Sequence, residues 1–290
     1  MRVAITGGTG FVGLYLSRHL VADGHDLVLV GRGNRKRRPR PGVDVRAADV
    51  ISGEGLEQAL AGCDAVVNLV AIIKEKGKQT FDAVNRQGTE HVAAAARSAG
   101  VPHLIQLSAI GADPDPAFPY LRSKWGGEQA IRTSGIPHTI IRSSLIFGPG
   151  DEFFTKLRGL LRLTPFILPI AGDGHSQFQP IAAEDVARCI AIALARGPSR
   201  TISEIGGPEQ YSYQEMLEII ATRYTNWPRV PVHVPLLVLA TAAHVPNPFV
   251  TPTQVAMLRK HNITRRTAVR DGFGFEPASF ADSLEYLADY

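Results

Sequence analysis

The strand-like residues Val3 to Thr6 run directly into Gly7-Gly8-Thr9-Gly10-Phe11-Val12-Gly13, and a helix-length amphipathic segment, Phe11 to Ala22, starts inside that loop. Few local sequences constrain a chain more. The glycines at 7, 10 and 13 give a GxxGxxG spacing. Gly7 permits the tight turn, Gly10 lets backbone approach a pyrophosphate, and Gly13 lets the helix lie close against the strand. The helix start then offers free N–H groups and a partial positive charge to phosphate. A dinucleotide site is expected here, with Thr9, Phe11 and Val12 in its phosphate loop.

Alternating elements follow. Leu27 to Val30, Val43 to Ala47, Ala65 to Val70, His103 to Leu107 and His138 to Arg142 read as strands. Between them lie a short helix near Leu56 to Leu60, a long helix ending near Ala99, and a helix containing Tyr120 to Thr133. This alternation predicts an α/β class: a Rossmann doubly wound parallel sheet with ligands at the carboxyl ends of the strands. The expected division is a cofactor domain over 1–150 and a smaller substrate or cap domain over 151–290. A segment near 180–205 should return to the first, since Asp185 to Ala195 reads as a helix and Thr201 to Ile205 as a strand.

Where an NAD-specific site would put a carboxylate for the ribose 2′-hydroxyl, Gly31-Arg32-Gly33 follows the second strand. Arg32 favours a 2′-phosphate, so NADP(H) is the expected cofactor and NAD(H) the alternative. The other reading of Arg32 is a solvated basic loop, and that reading is preferred for each of Arg35 to Arg38.

Net charge is +4 without a basic face or stripe, so no nucleic-acid partner is expected. Cys63 and Cys189, with no metal-ligand or CxxC spacing, suggest a reducing compartment. Strand-like alternation from Arg2 leaves no room for a cleaved signal peptide, and the cytoplasm is the expected location. The histidines fall on different elements, so no metal site is expected. From Val230 to Leu258 there is no charged side chain, but prolines interrupt the run, so no transmembrane segment is expected. Two readings stay open for it: a buried or interface part of the second domain, or an apolar surface that docks weakly on lipid or a partner protein.

Further motifs carry a resemblance. They are Asp49-Val50, Asn68-Leu69-Val70-Ala71, Val84-Asn85-Arg86-Gln87-Gly88-Thr89, Ser108, Tyr120-Leu121-Arg122-Ser123-Lys124, Ile141 to Gly150 and Asp185-Val186-Ala187. With the glycine loop, they make the first 210 residues or so resemble the extended and atypical short-chain dehydrogenases/reductases, the NAD-dependent epimerase/dehydratase-like proteins. The likeness is greatest to the group holding the dehydrogenase-like accessory subunit of respiratory complex I and bacterial nucleoside-diphosphate-sugar epimerases. The resemblance implies that Asp49 and Val50 meet the adenine, that Leu69, Val70 and Ala71 line the cofactor ribose, and that Ser143, Ser144, Leu145 and Ile146 lie near the nicotinamide.

Tyr120 and Lys124 are four apart, on one helix face. The resemblance makes Tyr120 the general acid/base, because a nearby ammonium and an oxidised nicotinamide both favour the phenolate. It assigns Lys124 also to the nicotinamide ribose, Ser108 to the substrate oxygen, and Asn85 to a structural or proton-relay place. The chain departs from the sugar-nucleotide enzymes in two respects. Only eleven residues separate Ser108 from Tyr120, and Leu163 to Pro169 is apolar where arginines would clamp a diphosphate. The expected activity is therefore an oxidoreductase moving hydride to or from a carbonyl or alcohol of a largely apolar small molecule. The alternatives are a nucleoside-diphosphate-sugar epimerase or dehydratase, and a non-catalytic cofactor-binding assembly factor of a membrane complex.

Overall fold

A computed structural model describes residues 1–33, 41–224, 228–242 and 251–289. The basic run at Arg35 to Arg38, together with Pro246 and Pro248, lies outside the described residues. The chain forms two compact units: residues 1–143 with 183–204, and residues 144–182 with 205–290.

In the first unit, β1 (Arg2–Thr6), β2 (Asp26–Gly31), β3 (Val43–Ala47), β4 (Ala65–Asn68), β5 (Leu104–Ala109) and β6 (His138–Ser143) join β11 (Arg200–Ile205), most of which belongs here. They make a seven-stranded sheet in the order β11-β6-β5-β4-β1-β2-β3. The pairs from β3 through β1 to β6 are parallel. The order reverses at β1, which lies between β4 and β2, so a crevice opens beyond its carboxyl end. Central strands read as continuous apolar runs because both faces are covered: Val3, Ala4 and Ile5 are fully buried, as are Ala65, Val66 and Val67.

The helices are α1 (Phe11–Ala22), α2 (Leu56–Leu60), α3 (Gly88–Ser98), α4 (Pro119–Thr133) and α6 (Ala183–Arg196). One core joins Val28, Leu56, Leu60, Val92, Leu104 and Ile131, while α6 packs against α1. The long helix expected before Ala99 is not uniform, because its first part, Asp82–Gln87, is wound as a π-helical turn. The strand expected over Ala65 to Val70 stops at Asn68, whose side chain turns into a buried network described below.

The second unit holds the short strands β7 (Ile146–Phe147), β9 (Gln177–Phe178), β10 (Ile181–Ala182) and β12 (Tyr211–Ser212). Its longer elements are α5 (Phe153–Leu163), β8 (Ile167–Ala171), α7 (Tyr213–Tyr224), β13 (Val230–Val234), α8 (Leu236–Ala242), α9 (Pro252–Met257) and α10 (Ala268–Phe273). Its core is aromatic: Phe147 and Phe154 pack on Phe280 with ring centres 5.2 and 4.9 Å away. Buried Asp151 accepts the Tyr286 hydroxyl at 2.5 Å and the Phe154 amide at 2.8 Å. Of the uncharged stretch Val230 to Leu258, Val255 is buried, but β13 is an exposed edge strand, so that part is surface and not core. Among the described residues no helix is long and apolar enough to cross a membrane.

Candidate cofactor and active site

The glycine loop is shaped by close approaches. Gly7 has φ +74°, a left-handed conformation that side chains disfavour, and a Cβ there would stand 3.1 Å from the Val70 nitrogen. A Cβ on Gly13 would meet the Gly7 carbonyl and the Gly8 Cα, both at 2.6 Å, so only glycine lets α1 start against the loop. Gly10 flanks the helix start in extended conformation, and its carbonyl takes the Leu14 amide at 3.1 Å.

Beside this loop lies a cavity of about 240 Å³, entirely within the first unit. Of the residues singled out in the sequence, Gly7, Thr9, Arg32, Asp49, Val50, Val70 and Ala71 line it. Phe11, Val12, Gly13 and Leu69 do not. Asp49 shapes its own loop by accepting the Ile51 amide at 2.8 Å, and the Val50 carbonyl is held by His91 Nδ1 at 2.8 Å. Sequence reasoning missed Ala48, Ile51, Ile72, Gln79 and Val84 as lining residues. Gln79 matters most. With its amide oxygen turned toward Arg32, it accepts from Nη1 at 2.8 Å and Nη2 at 3.2 Å. Nothing in the Lys-Glu-Lys-Gly-Lys-Gln stretch marks that glutamine out.

Under the crevice a buried polar network ties four elements together. Thr6 Oγ1 donates to Asn68 Oδ1 at 2.5 Å, and Asn68 Nδ2 donates to Gln106 Oε1 at 2.8 Å. Gln106 Nε2 in turn donates to the Leu107 carbonyl at 2.9 Å, and the same carbonyl receives Lys124 Nζ at 2.7 Å. Lys124 is only 5% exposed, and burial pulls its ammonium down to about 8, with Glu128 opposing. Glu128 itself, fully buried, takes a two-pronged ion pair from Arg142 on β6 at 2.9 and 2.7 Å.

Tyr120 stacks edge-on against Phe81 at 5.8 Å, and burial pushes its phenol up to about 12. Loss of solvation dominates at this phenol, and the ammonium four residues on does not bring it back toward neutral pH. Tyr120 therefore keeps its proton at neutral pH, whereas the neighbouring ammonium alone suggests a phenolate. Ser108, at the end of β5, is 3% exposed and its hydroxyl has no partner among the described residues. A buried hydroxyl without a partner costs about 1–3 kcal/mol, a cost that a bound oxygen would remove.

Asn85, in the π-helical turn, is saturated. Its Oδ1 takes the Ile72 amide at 2.9 Å, while Nδ2 donates to the Ile72 carbonyl at 3.2 Å and to Ser123 Oγ at 3.0 Å. Ser143 Oγ donates to the Ser108 carbonyl at 3.4 Å. Ser144, Leu145 and Ile146 belong to the second unit. There Asn262 Oδ1 accepts from Ser144 Oγ at 2.7 Å and from the Leu145 amide at 2.9 Å, a tether the sequence does not advertise.

Comparison with known proteins agrees with this architecture. The profile of a family described as NAD(P)H-binding matches residues 7–196. The mitochondrial NADH dehydrogenase [ubiquinone] 1 alpha subcomplex subunit 9 of Arabidopsis thaliana is 28% identical over 78% of this chain and 58% of its own length. A ceramide reductase of Caulobacter vibrioides is 32% identical over 73% of this chain and 66% of its own. The chain thus spans less than two thirds of these relatives. Among solved structures, the UDP-glucuronic acid 4-epimerase of Bacillus cereus, in complex with UDP-glucuronic acid and NAD, superposes with a TM-score of 0.76. It is 20% identical, with 100% of this chain and 98% of that one covered, a likeness of fold. With a glycine loop at the reversal point of a parallel sheet and a profile match over residues 7–196, the chain belongs to the NAD(P)H-binding family, on the fold of the extended short-chain dehydrogenases/reductases.

Proposed function

We propose that this protein is an NADP(H)-dependent oxidoreductase that reduces a carbonyl on a largely apolar small molecule. The observation that carries the reading is the buried hydroxyl of Ser108, without a partner among the described residues, at the end of the strand whose Leu107 carbonyl holds Lys124. The glycine loop and the cavity beside it fit a dinucleotide. Gly7 and Thr9 would meet the phosphates, Asp49 and Val50 the adenine, and Arg32 the 2′-phosphate after releasing Gln79. Val70 and Ala71 would flank the ribose. Ser143 and the residues after it would lie near the nicotinamide, as the family's motif implies.

Bound NADPH supplies hydride to the carbonyl carbon. The protein's part is orientation and the proton. The Ser108 hydroxyl donates a hydrogen bond to the carbonyl oxygen, and the Tyr120 phenol gives that oxygen its proton. A phenol raised to about 12 holds its proton throughout the neutral range and suits this direction of reaction. Lys124 positions both the ribose and the tyrosine. The ceramide reductase relative supports a lipid-like substrate.

The test is to incubate the protein with NADPH and a panel of long-chain ketones and aldehydes, following the loss of NADPH absorbance. Turnover should fall by about 10²-fold or more in Tyr120→Phe, with cofactor affinity little changed. Activity undiminished in that variant moves the proton to another group. No turnover with any substrate, while NADPH raises the melting temperature, replaces the enzyme by a cofactor-binding assembly factor.

A further inference from the structure

The second unit carries an unusual surface. β8 and β13 pair in parallel, with Val230 beside Ile167, Val232 beside Pro169 and Val234 beside Ala171. Side chains alternate along a strand, and Leu168 and Ile170 point into the core, 3% and 0% exposed. Ile167, Pro169, Val230, Val232 and Val234 therefore share the outward face of the ribbon and all are apolar, while Ala171 at its end packs partly against the core. At one end of the ribbon stand Leu163 and Phe166, 69% and 64% exposed. At the other stand Leu237 and Val238, 79% and 55% exposed. A row of apolar side chains this long is seldom left to water.

Charge tells what covers it. The two segments that build the surface, residues 153–172 and 228–242, contain Lys156, Arg158, Arg162 and Arg229 and no Asp or Glu. Of the flanking acids, Glu152 pairs with Lys156 at 2.7 Å, and Asp173 lies exposed 3.7 Å from His175, an ion pair only when the imidazole is protonated. Arg229 also holds the end of α5, donating to the carbonyls of Leu161 and Thr164 at 2.9 and 2.5 Å, so its charge is fixed beside the ribbon. A second copy of the chain would press the same arginines against each other across a twofold contact. An anionic bilayer satisfies both parts, taking the apolar row into its interface and the cations at its headgroups. No described helix spans a membrane, so the attachment is peripheral.

We propose that the outer face of the β8–β13 ribbon, with Leu163 and Phe166 at one end, Leu237 and Val238 at the other, and Arg162 and Arg229 beside it, seats the protein on anionic lipid. The inference is independent of the cofactor and catalytic reading.

It is tested by co-sedimentation of the full chain with vesicles of phosphatidylcholine alone or with a third phosphatidylglycerol. The protein should bind the anionic vesicles in a salt-sensitive way and leave the neutral ones. The double variant Phe166→Glu with Leu237→Glu, both residues being well exposed, should weaken binding about tenfold or more. Arg162→Glu alone should weaken it about fivefold or more, the worth of one basic residue at such a surface. Melting temperatures equal to the parent's certify that each variant folds. Absence of binding to both vesicles overturns the proposal, as does equal binding by folded variants. If instead the parent dimerises in a concentration-dependent way that Phe166→Glu abolishes, without vesicle binding, the face belongs to a second copy and the lipid assignment falls.

Discussion

Lys124 offers a test of the site that needs no substrate. Its ammonium is buried and its nearest acid, Glu128, is occupied by Arg142, so its proton is held to about 8 in the fold against an ordinary 10.5. Between those values the unfolded chain binds the proton more tightly than the native one. Stability is therefore lowest below about 8 and rises with pH through the window up to about 10.5. The whole difference is worth about 3 kcal/mol, of which about 2 kcal/mol is recovered between pH 7 and pH 9.5. Lys124→Met keeps most of the stem and removes the titration. It does not orphan the Leu107 carbonyl, which still receives Gln106 Nε2. Urea unfolding of both proteins without cofactor, at several pH values across this range, should show the parent gaining about 2 kcal/mol on the variant as pH rises. A stability difference that stays constant across the range refutes the buried-ammonium argument.

Ser108→Ala should hold stability or raise it by about 1 kcal/mol, since the hydroxyl lost has no partner among the described residues, while carbonyl turnover falls; thermal melts and steady-state rates together check this. A marked loss of stability would mean the hydroxyl is paired in solution. Arg32→Asp should shrink or invert a preference for NADPH over NADH measured by calorimetry, and equal binding of the two by the parent would remove Arg32 from the 2′-phosphate. Glu128→Ala leaves Arg142, among the described residues, with Glu204 3.7 Å away and should cost about 3 kcal/mol in chemical denaturation; a loss below about 1 kcal/mol would show the pair to be solvated.

The first unit was largely legible because its signals are local. The spans of α1, β3 and α2 follow from apolar periodicity and turn residues, and the helix and strand that return after Ala182 were readable for the same reason. Non-local pairing was not. Nothing local says that Asp82–Gln87 winds as a π turn, since that depends on Asn85 reaching Ile72 and Ser123. The partnership of Ile167 with Val230 joins segments over sixty residues apart, so an apolar run was visible but its ribbon was not. In the candidate site, Gly7 and Arg32 were marked by the strand–glycine–helix pattern and by their place after the second strand, Asp49 and Val50 by the family resemblance. Gln79 and Asn262 act through side-chain contacts formed only on folding. Tyr120 and Lys124 were marked by the family resemblance, since their spacing alone is common on helix faces, but their proton affinities depend on burial.

The interleaved path of the chain has a consequence for synthesis. Until Ala183–Glu204 has been made, β6 lacks the neighbour whose Ser199 carbonyl binds the His138 amide, and α1 lacks α6. A nascent chain that has reached Ser143 must extend about 60 residues further before its sheet can be completed, a delay of about 3–12 s at ordinary elongation rates. Throughout that interval β6 is an unpaired edge, the kind of strand that recruits a wrong partner. Fragments cut anywhere between Ser143 and Glu204 should inherit this defect, so the cofactor half is expected to be recoverable only when residues 183–204 are supplied with it.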